Sequence, residues 1–284
     1  MGVPIDSVGR AGGTEHAPAA VRERDLIARL GAEDRGDLDV RIRGDERDPE
    51  TGVIGIDGVL ATTEALRPAV REIAAAGDRP LVLGGCCTVV PGTLAGLRDA
   101  GGPLAFANVD GHVDVYDGET SPTGEAADMP LSVALGRGPR RWVRAAGGPS
   151  LGPGDVVVLG ARDPDEANDI VGLRAGELAA VEVLSPADLR AQGLAAAGAR
   201  AAWRLGTRFF VHLDVDVLDE RAMPATDYLM PGGLDWDELA ALLDPLGSSP
   251  ALAGLSLGCV NPEKDPDGRY VDMTCELLAG ALAA

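Results

Sequence analysis

Asp110, His112 and Asp114 stand at alternate positions just past the apolar run at 104–109, so two carboxylates and an imidazole can share one face. If that run is a buried strand, its period of two aims all three groups the same way beyond its carboxyl end. Open α/β sheets bind their ligands there. Asp214 and Asp216 repeat the device at the end of the apolar stretch that begins at 209. Brought together, the two clusters would place four carboxylates and one imidazole in one pocket. Charge of one sign at that density calls for cations, and a two-metal site is the economical reading.

Strands and helices must alternate to hold these groups. The chain opens with Gly2 to Asp6 and a glycine-bearing turn, then a predicted helix over 17–30 that calls for a strand before it, where little chain is available. A short strand is expected at 38–42 and an amphipathic helix at 59–76, ended by Gly77. The strand at 81–83 breaks at Gly84 and Gly85 and delivers Cys86 and Cys87 to a helix at 89–100. Further strands are read at 104–109, 156–159, 181–184, 209–214 and 253–257, with helices at 186–205, up to 243 and from about 270. Such alternation predicts an α/β fold, a three-layer α/β/α sandwich on a mostly parallel sheet. The long loop at 115–130 is expected to be functional.

At 284 residues and 45% apolar content the chain can bury a full core, and one domain over 1–284 is expected. A formal net charge of -20 argues against nucleic-acid or anionic-membrane partners and favours metal ions or a cationic small molecule. No signal-like segment opens the chain and no apolar run is long enough to span a bilayer, so a cytoplasmic protein is expected. Cys86, Cys87, Cys259 and Cys275 are too few for a disulfide scaffold. Cys86 and Cys275 read as small buried apolar groups.

Three sets of residues carry a resemblance: Asp110-Gly111-His112-Val113-Asp114, the run Leu213 to Asp219, and Pro224-Ala225-Thr226 with Pro231-Gly232-Gly233-Leu234. Together with Gly2-Val3-Pro4, Gly12-Gly13, the segment 119–130 and Val260-Asn261-Pro262, they resemble the ureohydrolases, the arginase and agmatinase superfamily, over nearly the whole chain. The resemblance implies two manganese ions, hydrolysis of a guanidinium group to an amine and urea, and a trimer or hexamer. It also implies that Asp110 and Asp214 bridge the ions, with Asp114 on one and His112 and Asp216 on the other.

Departures from the pattern bear on both metal and substrate. Where the superfamily has a sixth ligand, a histidine, this chain has Cys87, as in the hydroxyarginine hydrolase of cycloserine biosynthesis, the nearest match. A thiolate suits zinc, iron or cobalt better than manganese. Ala127 stands where arginases carry a proton-shuttling histidine, and Cys259 where a glutamate would hold the guanidinium. A neutral thiol cannot make that bidentate ion pair. The template places Thr123, Asp165 and Tyr228 at the substrate's amino-acid end. His212 shares the face of Asp214 and is expected to hydrogen-bond behind the ligands. Glu125 and Asp128 read as a solvated loop face.

The sequence therefore points to a binuclear metal hydrolase, an amidinohydrolase that cleaves a C–N bond of a guanidino or hydroxyguanidino compound, releasing urea or hydroxyurea and an amine. The ions would make hydroxide available near neutral pH, with Asp114 orienting it and passing its proton to the leaving amine. The alternatives are a catalytically silent or regulatory protein of this fold, and a hydrolase of non-guanidine amides or amidines.

Overall fold

In a computed structural model, which describes residues 1–10 and 12–282, seven strands form one sheet: β1 (Gly2–Val3), β2 (Leu81–Gly84), β3 (Ala105–Val109), β4 (Val156–Leu159), β5 (Glu182–Leu184), β6 (Phe209–Asp214) and β7 (Leu252–Gly258). Their order is β1-β2-β7-β6-β3-β4-β5, and every neighbouring pair is parallel. A parallel sheet covered on both faces wants apolar residues throughout. Accordingly β3 and β6 are buried at every position, including the runs Ala105–Val109 and Phe209–Leu213.

Strand alternation divides the core into two layers. Val82, Phe106, Val158 and Phe210 pack on one side with Val59, Leu66 and Val70 of the helix Ile56–Ala75 and Leu94 and Leu97 of the helix Val90–Gly101. Leu83, Ala107, Val211 and Leu257 face the other side, against Leu239 and Leu242 of the helix Trp236–Gly247, Ala197 of Leu194–Arg204 and Leu278 of Arg269–Leu282. The three-layer α/β/α architecture follows from this alternation. Among the described residues no helix is long and apolar enough to cross a membrane.

Some elements depart from the sequence reading. The segment 17–30 forms two short helices, Ala17–Arg22 and Leu26–Arg29, because Asp25 turns the chain at φ 55 and drops Leu26 into the core. Gly193, at φ 80, divides 186–205 in the same way. Residues 38–42 bury Val40 and Ile42 but join no strand; only Asp37 bridges Gly2. With β1 two residues long, the sheet edge offers them little to pair with. The strand required before the first helix is β1 itself. The helices Pro130–Ala134 and Arg140–Ala145 went unread; the second buries Trp142, whose Nε1 donates to Thr63 Oγ1 at 2.8 Å.

Candidate metal centre

Five adjacent strands, β2, β7, β6, β3 and β4, end on one side of the sheet, and the chemistry-bearing residues follow those ends. Cys87 comes after β2, Cys259 after β7, Asp214 closes β6 with Asp216 behind it, Asp110 to Asp114 follow β3, and Asp163 follows β4. They line a cavity of about 200 Å³. Donor atoms gather in two groups. Asp110, His112 and Asp216 form one, and Cys87, Asp110, His212 and Asp214 the other, with Asp110 common to both.

In the first group His112 Nδ1 lies 3.0 Å from Asp216 Oδ2 and 3.7 Å from Asp110 Oδ1. The main chain presets both acids: His112 N–H donates to Asp110 Oδ1 at 2.7 Å, and Gly111 N–H to Asp216 Oδ1 at 3.0 Å. In the second group the Cys87 thiol donates to Asp214 Oδ2 at 2.7 Å, and Asp216 N–H holds Asp214 Oδ1 at 2.8 Å. His212, on β6 and fully buried, pairs its Nδ1 with Ser256 Oγ at 2.6 Å across to β7. Among the described residues its Nε2 has no hydrogen-bond partner.

Electrostatics marks the same spot. Burial, then the neighbouring acids, raise the pKa values of Asp110, Asp114 and Asp214. Asp216 goes the other way: burial opposes ionisation, but His112 and Arg162 outweigh it. The Cys87 thiol is pushed up by its contact with Cys259, then by burial and Asp214. For Cys259 the Cys87 contact pulls downward, yet burial and the nearby aspartates win and it too is raised. Burial keeps His212 neutral, with a pKa lowered to about 3. A pocket whose acids resist ionisation is one in which a bound cation would be compensated by charge, and the oxygen, nitrogen and sulfur donors fit divalent metals.

The positions singled out in the sequence fare differently. Cys87, Asp110, His112, Asp214 and Asp216 meet in the donor groups. Asp114, at φ 55, lines the cavity beside them without entering either group, and Thr123, Tyr228 and Cys259, the last at φ 64, line it too. Asp165 does not. It sits in the first turn of the helix Pro164–Val171 with its side chain 87% exposed and paired to Arg174 at 2.6 Å, while Asp163 and Glu166 line the cavity in its place. Asp165 lies two positions beyond Asp163, and the helix that begins between them at Pro164 turns it away. Glu125 and Asp128 are no solvated face. Glu125 accepts from Tyr228 Oη at 2.6 Å and Ser7 Oγ at 3.1 Å, and Asp128 from Thr123 Oγ1 at 2.6 Å. Asp6 and Ser7 also line the cavity; no pattern in their stretch had marked them.

The sequence profile of the arginase family matches residues 1–283. The chain belongs to the arginase family. An arginase of Brevibacillus brevis is 29% identical over 98% of this chain and 95% of its own length. Bacillus caldovelox arginase superposes with a TM-score of 0.91 at 26% identity, covering 100% of this chain and 97% of the other. Proclavaminate amidino hydrolase of Streptomyces clavuligerus shares the fold alone, with a TM-score of 0.69 at 21% identity over 99% of this chain and 88% of that one. The ureohydrolase resemblance is thereby shown, as is the arginase-like three-layer fold. This arginase-family chain is a hydrolase of amidino or guanidino C–N bonds, in a family of binuclear metal enzymes, and its own structure holds a candidate metal-ligand cluster.

Asp163 offers a check on these electrostatics. Burial, opposed by His112 and reinforced by Asp110, raises its pKa from 3.8 to about 6, while its Oδ1 accepts from Val113 N–H at 3.1 Å. A folded pKa above the unfolded one favours folding fully below the unfolded value and loses that effect as pH rises through about 6. Asp163→Asn keeps an acceptor without the charge. In chelator-treated protein the variant is therefore expected to gain about 2 kcal/mol over wild type between pH 4 and pH 8, read by urea melts. A pH-independent difference would contradict this.

Proposed function

We propose that the chain is a binuclear metal hydrolase of a guanidino or hydroxyguanidino compound, releasing an amine and urea or hydroxyurea. The observation that supports this most is the pair of donor groups sharing Asp110, whose members other than His212 line one cavity. Asp110, His112 and Asp216 would hold one ion; Cys87, Asp110, Asp114 and Asp214 the other. Bound there, two divalent cations supply a water acidic enough to act near neutrality and stabilise the charge that develops on the substrate. Manganese is the expected metal, with zinc, iron and cobalt favoured at the cysteine-bearing site.

The protein's own groups do the rest. Asp114, buried with its pKa raised, orients the attacking water and hands its proton to the leaving nitrogen. Glu125, Asp128, Asp163 and Glu166 face the cavity and suit a substrate with a cationic end. Glu125 and Tyr228, joined at 2.6 Å, and Thr123, tied to Asp128, would fix that end. Cys259 leaves the guanidine carbon without a carboxylate partner, and Ala127 gives no proton relay at the cavity wall. Both favour a guanidine less basic than arginine, such as an Nω-hydroxyguanidine. The same proposal includes a single domain over 1–284, a cytoplasmic location and assembly into trimers or hexamers; sedimentation velocity checks the last.

Metal assay with a screen of guanidines, hydroxyguanidines and amides for urea, hydroxyurea or ammonia release tests this. The expected result is two ions per chain and turnover of hydroxyarginine at least tenfold above arginine. Arginine turnover equal to hydroxyarginine turnover would sink the substrate reading. The changes at Cys87, Ala127 and Cys259 also suit a catalytically silent protein, which would bind metal and turn over nothing in the screen.

A further inference from the structure

His212 stands outside the roles given so far. It is fully buried in β6, between Asn108 of β3 and Ser256 of β7 in the sheet register. Its Nδ1 is taken by Ser256 Oγ at 2.6 Å. Its Nε2 is left with no hydrogen-bond partner among the described residues, away from water. A buried, unpaired ring nitrogen costs about 1–3 kcal/mol, so a fold that keeps one calls for a partner that is not another side chain.

The surroundings say what that partner is. One ring nitrogen of His212 lies with the Cys87 sulfur and carboxylate oxygens of Asp110 and Asp214 in a set whose members are all within 4.8 Å of one another. With Nδ1 committed to Ser256, Nε2 is the nitrogen free to join. Room for the ring comes from Gly258, where a Cβ would sit 3.0 Å from His212 Cε1 and 3.3 Å from Nε2. An imidazole with one nitrogen on a hydrogen-bonding partner and the other aimed at thiolate and carboxylate donors has the arrangement of a metal-ligating histidine, in which the outer bond fixes ring and tautomer.

We propose that His212 coordinates, through Nε2, the ion held by Cys87 and Asp214. The inference rests on the reading of the cavity as a metal site and gives that site a donor set of its own. Sulfur, imidazole nitrogen and carboxylate together suit zinc or cobalt(II), whereas the neighbouring group of Asp110, His112 and Asp216 offers one imidazole and carboxylates only. The two positions are therefore unequal, and the cysteine-bearing one selects zinc or cobalt over manganese.

Chelator-stripped protein titrated with cobalt(II), or loaded with one equivalent of zinc, tests this without recourse to activity. The cobalt protein is expected to show a sulfur-to-metal charge-transfer band and two paramagnetically shifted, exchangeable imidazole N–H signals, one from His112 and one from His212. In His212→Gln one signal disappears and zinc affinity falls more than 100-fold, beyond the roughly 10–100-fold range of residues acting from behind a ligand. X-ray absorption of the one-zinc protein is expected to show both sulfur and imidazole scattering. A single imidazole signal in wild type, or zinc affinity unchanged in His212→Gln, overturns the inference while leaving a metal site in place. Failure of wild type to take up any ion overturns it together with the reading beneath it. Should His212→Gln not fold, Ser256→Ala leaves the imidazole and removes its outer partner. Zinc affinity at least tenfold weaker is expected there, and unchanged affinity with an unchanged imidazole signal overturns the inference.

Discussion

Asp214→Ala is expected to reduce turnover at least ~10³-fold and to lower bound metal from two ions per chain to one or none. The carboxylate receives the Cys87 thiol on Oδ2 and the Asp216 amide on Oδ1, so it joins the cysteine-bearing group to the loop that carries the other group's acid. Loss of a ligand carboxylate from the cysteine-bearing group would remove several kcal/mol of charge stabilisation, and each 1.36 kcal/mol is tenfold in rate. Elemental analysis and product assay read the two effects separately. Full metal content in the variant would mean that the ions, if bound, sit elsewhere.

Gly85→Ala is expected to destabilise the fold by about 3 kcal/mol or more, enough to leave a mesophilic domain partly unfolded at 37 °C. A Cβ there would overlap the Ile5 carbonyl oxygen, which is main chain and cannot swing aside. Gly85 N–H donates to Val3 O at 3.0 Å and its carbonyl accepts from Cys259 N–H at 2.8 Å, so relief of the clash would shift β1 and both cysteines. Gly280→Ala, in the helix Arg269–Leu282 with nothing among the described residues within 4 Å of its added methyl, is the control and is expected to stabilise by about 0.5–1 kcal/mol. Equal melting temperatures for Gly85→Ala and wild type would show that the loop has slack.

The strands that carry the site were legible because burial on both faces leaves uninterrupted apolar runs, and the structure moves their ends by a residue or two at most. Cys87 and Cys259 could be placed near one pocket, but not side by side. Their sulfurs lie 3.6 Å apart because β2 and β7 are neighbours in the sheet, and strand order is a tertiary fact that local pattern does not carry. Asp165 failed for a local reason, since the helix starting at Pro164 rotates it outward, a turn that spacing alone does not reveal. Glu125 and Asp128 looked solvated because an acidic loop usually is. Glu125 is held by Tyr228, about a hundred residues away, and the half-buried Asp128 by Ser121 and Thr123 of its own loop. The period of a strand puts His212 on the face of Asp214, but it does not tell that Ser256 takes one nitrogen and that nothing among the described residues takes the other.

The convergence of five strand ends has a consequence for how the chain comes apart. Cys87 and Asp214 are 127 residues apart in sequence, and Gly111 and Asp216 are 105 apart, yet their side chains or amides meet over the same few ångströms. An ion gripped by residues so distant along the chain is a cross-link as well as a reagent. Closing a loop of about 100 residues lowers the entropy of the unfolded chain by the equivalent of roughly 5 kcal/mol when the link survives unfolding. Metal is more readily lost than a covalent bond, so that staple acts only while its ligands hold. The sheet's carboxyl edge would then open first as metal leaves, with the apolar layers beneath it still packed.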